Sequence, residues 1–417
     1  TLKYNIQSWK NYTMDPTPLR NPLQDNKYNN VTDLKNNLFG SFSATLKPFK
    51  WLSFSSTNTL TLTNVNTNDY LDSRTYNGNH SRNEMSNGVL KVDDERSWTF
   101  LTSNILRLQY SFGEHNLNGL VGQEWYERHT RSSRIEMYDQ IIAGERNVGG
   151  FSKQGDKTNP GVIPTGAERE SGSFSVFSEV NYNYAGKYMA SASFRTDGST
   201  NFGKDNRYGT FYSFSGSWLV SREAFMARQD VVSNLKLRMS YGTSGKEAGM
   251  DYLNYTLYST SNTTFDYYRD HPVYQSAYGA TINQLGNDQL SWETAYNLNI
   301  GVDVALLNNR ISLSADWYKR RNSDLIMSTT LPAANGVGRQ YQNVGEMENR
   351  GVELVLNTHT VKGEEFNWFT TLTFSYNNNE LTKLDQEKLT RSGYKTFYEG
   401  DNIDELKKGK VTGVDPE

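Results

Sequence analysis

Residues 174–195 read FSVFSEVNYNYAGKYMASASFR, in which apolar and polar residues alternate on both sides of a short Ala-Gly-Lys turn. The apolar positions are Phe174, Val176, Val180, Tyr182 and Tyr184 before the turn, and Tyr188, Ala190, Ala192 and Phe194 after it. A period of two places successive side chains on opposite faces of a β-strand. The stretch therefore predicts an antiparallel hairpin with one apolar face and one polar face.

The same alternation recurs along the whole chain and predicts about twelve strands in six hairpins. The predicted pairs cover about 38–46 with 52–62, 97–112 with 116–127, 174–184 with 188–195, 208–220 with 235–242, 294–306 with 310–320, and 350–358 with 366–377. Most connections within a pair are short, although we expect a short capped helix at 221–226. Long polar segments separate the pairs, at 63–96, 128–171, 196–207, 243–293 and 321–349.

This strict alternation of short turns with long loops predicts an all-β fold, an antiparallel transmembrane β-barrel segment in a bacterial outer membrane, with short periplasmic turns and long extracellular loops. Only 35% of the residues are hydrophobic, yet 27 Tyr, 19 Phe and 8 Trp are present. The mean hydropathy of −0.74 is compatible with a barrel, because only alternate strand residues meet lipid. Tyr and Trp suit the two membrane interfaces.

Other features limit the class of protein. The sequence contains no run of about 18 apolar residues, so it gives no argument for a transmembrane helix. It contains no cysteine, so it gives no argument for a disulfide scaffold. Its net charge is only −3, which gives no argument for a nucleic-acid partner. It begins with Thr1 and ends in a loop-like Asp415-Pro416-Glu417. We therefore expect residues 1–417 to be a partial β-barrel domain without a signal peptide.

Several motifs follow one another in the second half of the chain. They are FRTDGSTNFG at 194–203, SGSW at 215–218, NLKLRMSYG at 234–242, LSWET at 290–294 and NVGEMENRGVEL at 343–354. In this order they resemble motifs of the SusC/RagA family of TonB-dependent outer-membrane transporters of Bacteroidota. Structural roles are expected for the motif residues Arg195, Asp197, Gly198, Trp218, Trp292, Glu293, Asn343, Gly345, Asn349 and Gly351.

The resemblance implies a 22-stranded barrel that holds a plug domain, of which this chain would supply about twelve strands and no plug. It further implies active import of nutrients, most often oligosaccharides and sometimes peptides. The implied partners are a SusD-like surface lipoprotein, the TonB complex acting through a region absent from this chain, and outer-membrane lipid. No cofactor is implied.

Two sets of residues are candidates for substrate contact. Lys236 and Arg238 alternate with apolar residues and should point into the lumen, as should Asp303 and Asp316. These side chains could contact the plug or an anionic solute, or they could simply be solvated in the lumen. The second set lies in the loop at 243–293 and comprises Tyr267, Tyr268, Tyr274 and Tyr278. These rings could stack on sugars, or they could pack the loops together. The LSWET motif is expected at a strand start and interfacial girdle.

Catalysis has little support in the sequence. The five His residues are scattered, and the segment Gly242–Lys246 lacks the spacing of a phosphate-binding loop. We therefore expect a protein that is not an enzyme. Three alternatives to the importer remain open: a siderophore or cobalamin TonB-dependent receptor, a passive porin, and a non-transport β-rich surface glycan-binding protein or adhesin.

Overall fold

The computed structural model describes residues 22–79, 87–152, 162–247, 249–260, 280–332, 334, 337–384, 389–391 and 395–402. The strands are β1 Asn30–Phe49, β2 Leu52–Leu71, β3 Val89–Phe112, β4 His115–Tyr138, β5 Val162–Tyr184, β6 Tyr188–Ser199, β7 Tyr208–Leu219, β8 Val232–Lys246, β9 Leu257–Thr260, β10 Ala280–Gln284, β11 Glu293–Leu306, β12 Ile311–Ser323, β13 Ile326–Thr330, β14 Arg339–Asn343, β15 Gly345–Lys362, β16 Asn367–Leu384, β17 Leu389–Arg391 and β18 Lys395–Phe397. Of two short helices, α1 Pro22–Tyr28 precedes β1 and α2 Tyr76–Asn79 lies between β2 and β3. None of these described helices is long and apolar enough to cross a membrane.

Twelve strands form one sheet, in the order β1-β2-β3-β4-β5-β6-β7-β8-β11-β12-β15-β16. The pairings from β5 to β16 are antiparallel. The remaining described strands form two-stranded ribbons, β9 with β10, β13 with β14, and β17 with β18. The predicted number of strands and their succession as neighbouring hairpins are confirmed.

The first five strands are longer than predicted. β2 continues to Leu71 and β4 to Tyr138, so much of the predicted loops at 63–96 and 128–171 is strand. The apolar period disappears in a strand segment beyond the bilayer, because both faces then meet water while the backbone pairing continues. Hydropathy therefore marks where a strand meets lipid rather than where it ends.

The prediction of a capped helix at 221–226 is wrong. Two 3₁₀ turns, Val220–Arg222 and Ala224–Met226, replace it, and neither has a side-chain hydrogen bond at its N-cap. The chain extends at Glu223, where φ is −78° and ψ is 150°, and this extended residue separates the two turns. The side chain of Glu223 instead accepts hydrogen bonds from Trp218 and Tyr188.

The chain divides into two compact units. The first comprises Thr1–Phe42, Thr59–Leu101 and Glu127–Glu170, and the second Ser43–Asn58, Thr102–Tyr126 and Ser171–Glu417. The first unit has a buried cluster of Tyr70, Leu90, Met137 and Phe151. The second has one of Phe202, Leu253 and Leu290 and a smaller one around Leu381. All these clusters lie at the loop ends of the strands, outside the long apolar stretches of the sheet.

In the second unit the two faces of the sheet differ as the alternation predicts. Directly paired residues share a face, and one such row joins Met239, Ile300 and Trp317 on three neighbouring strands. Ile300 is 46% exposed, and neither Leu298 nor Val302 is buried. A face of exposed large apolar side chains is unstable in water and suits contact with hydrocarbon. The opposite face carries Ser, Asn, Asp and Arg side chains.

Aromatic rings line the end of the sheet nearest the short turns. Tyr184 stacks on Tyr188, and Tyr188 on Trp218, with 6.3 Å between ring centroids in both pairs. The Tyr188 hydroxyl and Trp218 Nε1 donate hydrogen bonds of 2.6 and 3.0 Å to the same oxygen of Glu223. Apolar rings with polar tips are typical of the membrane interface. This arrangement agrees with the expectation that Tyr and Trp lie at a membrane interface.

Candidate functional site on the polar face of the sheet

Arg238 lies on the polar face of β8 and holds one carboxylate of β11 and one of β12. Its Nε donates a 2.7 Å hydrogen bond to Asp303 Oδ2, and its Nη2 donates one of 3.0 Å to Asp303 Oδ1. Nη1 and Nη2 donate hydrogen bonds of 3.0 Å to the two carboxylate oxygens of Asp316. Bidentate pairs of this kind are the strongest form of charge-assisted hydrogen bond. Arg238 therefore links three strands.

The absence of a side chain at Gly301 makes room for this cluster. Gly301 is paired with Arg238 on one side and Asp316 on the other. A Cβ at this position would lie 2.4 Å from Asp316 Oδ1 and 2.8 Å from the guanidinium carbon of Arg238. The glycine thus lets the guanidinium cross the middle strand and reach the far carboxylate.

Lys236 lies on the same face, directly opposite Asp303 in the strand register. Two cations and two carboxylates give this group of four side chains a formal charge of zero. Lys236 and Arg238 both line a groove of about 510 Å³, together with Asn181, Ser215 and Asn299. Within the described residues the guanidinium of Arg238 is occupied by its two carboxylates, which leaves it few donors for a solute.

A patch of amide side chains covers the polar face of four neighbouring strands, next to this charged group. Its members are Asn297 and Asn299 on β11, Asn322 on β12, Asn349 on β15, and Asn377 and Asn379 on β16. We call these six residues the amide patch. They line an open groove of about 790 Å³ with Tyr318, Arg320 and Glu353. The patch itself carries no formal charge.

Some side chains of the amide patch form hydrogen bonds with neighbouring side chains, and others do not. Tyr318 donates a 3.1 Å hydrogen bond to Asn377 Oδ1, and Asn379 Nδ2 donates one of 2.8 Å to Asn349 Oδ1. No side-chain hydrogen bond joins Asn299 to another described residue. Each amide offers one acceptor and two donors. The patch can therefore form several hydrogen bonds with a neutral polar solute.

Arg195 is the centre of a second polar cluster on this face. Its Nε donates a 2.6 Å hydrogen bond to Asp197, and its Nη2 donates one of 2.9 Å to Ser175 Oγ. The guanidinium also lies 5.1 Å from the ring centroid of Phe177. Gly198 leaves room for the ring of Tyr208, which would lie 2.5 Å from an added Cβ. The FRTDG motif thus fixes the local packing of β5, β6 and β7.

Two further motifs hold the long connections to the sheet. Trp292 Nε1 donates a 3.1 Å hydrogen bond to the carbonyl of Arg207, and its ring packs against Phe202. Trp292 therefore lies in a cluster of loop residues instead of in the predicted girdle. Asn343 accepts a 3.0 Å hydrogen bond from the amide of Ser291 and donates one of 3.0 Å back to its carbonyl. Its Nδ2 also donates to the carbonyl of Asp324.

The remaining motif residues have local roles. Glu293 Oε1 accepts a 2.8 Å hydrogen bond from the amide of Ile326, at the start of β13. The carbonyl of Gly345 accepts one of 3.0 Å from the amide of Leu325. Gly351 allows the ring of Tyr318 to cross its backbone, and Asn349 belongs to the amide patch. The motif residues on which the resemblance rests thus mostly position strands and loops.

Other sequence predictions find no site in the described structure. Tyr267, Tyr268, Tyr274 and Tyr278 lie outside the described residues. No group of three or more His, Cys, Asp or Glu side chains suited to a metal ion occurs in the part of the chain that the structure describes. The amide patch was not predicted, although alternate Asn residues at 297 and 299 and at 377 and 379 signal it. Its assembly depends on the register between strands.

An apolar outer face, a polar inner face and an aromatic band define the wall of an outer-membrane β-barrel. The family described as "TonB dependent receptor-like, beta-barrel" matches residues 2–410. The chain belongs to this family, whose members are outer-membrane receptors and transporters rather than enzymes.

Individual relatives place the chain near the SusC and RagA proteins and confirm the predicted resemblance. TonB-dependent receptor P3 of Formosa agariphila is 34% identical over 287 residues, which are 68% of this chain and 27% of that protein. TonB-dependent receptor SusC of Bacteroides thetaiotaomicron is 34% identical over 212 residues, 50% of this chain and 21% of SusC. A structure of the RagAB peptide transporter matches with a TM-score of 0.74 and 26% identity, over 90% of this chain and 40% of that chain. The chain thus spans between about a fifth and two fifths of these relatives.

Proposed function

We propose that these residues form part of the barrel wall of a SusC-like importer, which takes up nutrients too large for passive diffusion. The cargo is an oligosaccharide in the first instance, with a peptide as the other candidate. The importer works with a SusD-like surface lipoprotein and with TonB, and a plug domain fills the rest of its lumen. The similarity to SusC and to the RagAB peptide transporter supports this class of function.

The amide patch is the observation that carries the choice of cargo. Its six side chains are uncharged, and they form a continuous surface on the inner face of β11, β12, β15 and β16. A site built for a charged solute, such as a ferric siderophore, would present an excess of one sign of charge. Amides that donate and accept hydrogen bonds match the hydroxyl groups of a sugar. The neighbouring Tyr318 adds an aromatic ring.

A growth experiment tests the proposed import. The gene for the full-length protein is deleted in its own host, and growth is measured on neutral oligosaccharides, on peptides and under iron limitation. The proposal expects a growth defect on one oligosaccharide or peptide source, restored by the wild-type gene only when TonB is present. Growth that fails only under iron limitation would instead support a siderophore receptor. Normal growth under every condition would contradict import.

A pair of adjacent residues tests the role of the amide patch. Asn377 lies on the inner face of β16, and Asn378 lies on the opposite face, paired with Arg350. We expect Asn377→Ala to weaken oligosaccharide binding by the purified full-length protein about five- to tenfold, since one or two hydrogen bonds are lost. Asn378→Ala is the matched control and should bind normally. Equal binding by both variants would exclude the amide patch as the cargo surface.

A further inference from the structure

A group of charged residues interrupts the apolar outer face on β12, β15 and β16. Lys319 follows Trp317 along the outer face of β12, and Arg350 precedes Val352 on β15. Lys319 and Arg350 are direct partners in the strand register, so they form the first polar row beyond the apolar row of Trp317, Val352 and Tyr376. The row lies on the side of the long connections, which is extracellular in this class of barrel.

Three ion pairs extend this row, and we call their six residues the outer charged patch. The pairs are Lys319 with Glu348 at 2.9 Å, Arg321 with Glu346 at 2.6 Å, and Arg350 with Glu380 at 3.9 Å. In every pair the cation is the more exposed partner: 45% against 14%, 50% against 21%, and 57% against 39%. The outer charged patch is thus neutral overall, but its more exposed groups are the cations.

Lys319 and Arg350 directly face each other, so an external anion bound between them would further reduce a like-charge repulsion that Glu348 and Glu380 already moderate. Like charges directly opposite on neighbouring strands are destabilising. The nearest carboxylates, Glu348 and Glu380, are themselves opposite each other in the next row outward. No carboxylate of the outer charged patch therefore lies in the row that adjoins the apolar face.

Three other strands end their apolar face without a charged side chain. On β6, β7 and β8 the outward residues that follow the apolar row are Thr196, Thr210 and Thr243. On these three strands the residue after the apolar face thus carries a hydroxyl group and no charge. The barrel fold by itself therefore does not require the two cations on β12 and β15.

We propose that the outer charged patch binds the phosphate groups of a lipid in the outer leaflet whose headgroup has a net negative charge. Lys319 and Arg350 donate charge-assisted hydrogen bonds to the phosphate, and the lipid chains lie along Trp317 and the apolar rows below it. A lipid satisfies both halves of this surface, because the cations directly adjoin an apolar face. This inference depends on the barrel lying in a membrane and is independent of the cargo that it imports.

Lipid retention by the purified full-length protein tests the proposal. Delipidated protein in a neutral detergent is mixed with diphosphorylated lipid A or with phosphatidylethanolamine, and bound lipid is quantified by native mass spectrometry. We expect lipid A to bind, and the double variant Lys319→Gln/Arg350→Gln to bind it at least about tenfold more weakly, since each cation near such a surface contributes about 1 kcal/mol. Arg320→Gln, a cation on the opposite face of the same strand, is the matched control and should bind as the wild type does.

Three results would overturn the proposal. The first is that the double variant retains as much lipid A as the wild type. The second is that the wild type binds phosphatidylethanolamine as well as it binds lipid A. The third is that millimolar inorganic phosphate displaces the lipid completely, which would indicate an ion site. The variant Lys319→Arg/Arg350→Lys keeps both charges and should bind lipid A as the wild type does. If the double variant fails to fold, Lys319→Gln with Arg350 intact is measured in its place, and binding that equals the wild type's would equally overturn the proposal.

Discussion

Arg238 shows how a charged side chain can be accommodated in the wall of a barrel. Its guanidinium is bonded to Asp303 and Asp316, and all three side chains are between 22% and 31% exposed. Removal of one partner from such a group leaves uncompensated charge, which costs more than the pair itself contributes. The role that fits this geometry best is the fixing of β8, β11 and β12 relative to one another.

We expect Arg238→Met to destabilise the barrel by about 2 kcal/mol, because two carboxylates are left facing each other in a partly solvated site. The midpoint of thermal unfolding of the full-length protein in detergent, followed by its electrophoretic mobility, measures the effect. Lys236→Met is the control and should shift the midpoint little. Adding Asp303→Asn and Asp316→Asn to Arg238→Met should restore much of the loss. An unchanged midpoint for Arg238→Met would contradict this role.

Asp72 is a second charged centre, at the end of β2 in the first unit. Its side chain is fully buried, and it accepts a 2.7 Å hydrogen bond from the Tyr70 hydroxyl and bonds of 2.8 to 2.9 Å from Arg74. Burial by itself would raise the pKa of Asp72, but the hydrogen bonds from Arg74 and Tyr70 outweigh it and lower the pKa to about 2.

This lowered pKa predicts an acid-sensitive connection after β2. A carboxylate with a depressed pKa stabilises the folded state fully above its ordinary pKa, near 4, and the stabilisation is lost as the pH falls through about 2. The difference amounts to about 2 kcal/mol. Hydrogen exchange at Thr75 and Gly78, corrected for intrinsic rates, should accelerate between pH 4 and pH 2. In Asp72→Asn exchange should already be fast at pH 6, and protection that equals the wild type's there would contradict the prediction.

At the scale of the strand, glycines decide where large side chains can cross the sheet. A Cβ at Gly351 would lie 2.3 Å from the carbonyl oxygen of Tyr376 and 2.5 Å from the Tyr318 hydroxyl. The carbonyl belongs to the paired strand and cannot move without disturbing the ladder. The Gly351 position in the NVGEMENRGVEL motif is therefore explained by packing.

We expect Gly351→Ala to destabilise the barrel by about 1–3 kcal/mol, the usual cost of overpacking. Gly216→Ala is the matched control, because the nearest heavy atom to its Cβ would be 3.9 Å away. The same electrophoretic unfolding assay compares the two variants. If both variants unfold at the wild-type temperature, the close approach at Gly351 is not important for stability.

Hairpins were predictable from the sequence because lipid imposes a period of two on each strand. The turn at Ala185-Gly186-Lys187 and the twelve-strand succession follow directly from that period. The ends of β2 and β4 were not predictable, because hydropathy carries no signal where both faces are wet. The bonds of Arg238 depend on the register of three strands, and so does the amide patch. Side-chain parity assigned these residues to a face but could not name their partners.

For the whole molecule, the account depends on two different solvents on the two faces of one sheet. Apolar side chains such as Ile300, Trp317 and Phe374 are exposed on one face. Hydrogen-bonded amides and ion pairs cover the other. The proposed import needs the second face to line a water-filled lumen, and the proposed lipid site needs the first to meet the bilayer.

Site-directed spin labelling tests this division most directly, since these 417 residues contain no cysteine and each introduced one is a unique site within them. Single cysteines replace Asn297, Leu298, Asn299, Ile300 and Val302 in the full-length protein, which is then reconstituted in lipid bilayers. We predict that labels at 298, 300 and 302 collide with oxygen dissolved in the hydrocarbon, while those at 297 and 299 collide with a water-soluble nickel complex. Equal accessibility at all five positions, or protection of 298, 300 and 302 from both reagents, would contradict the account.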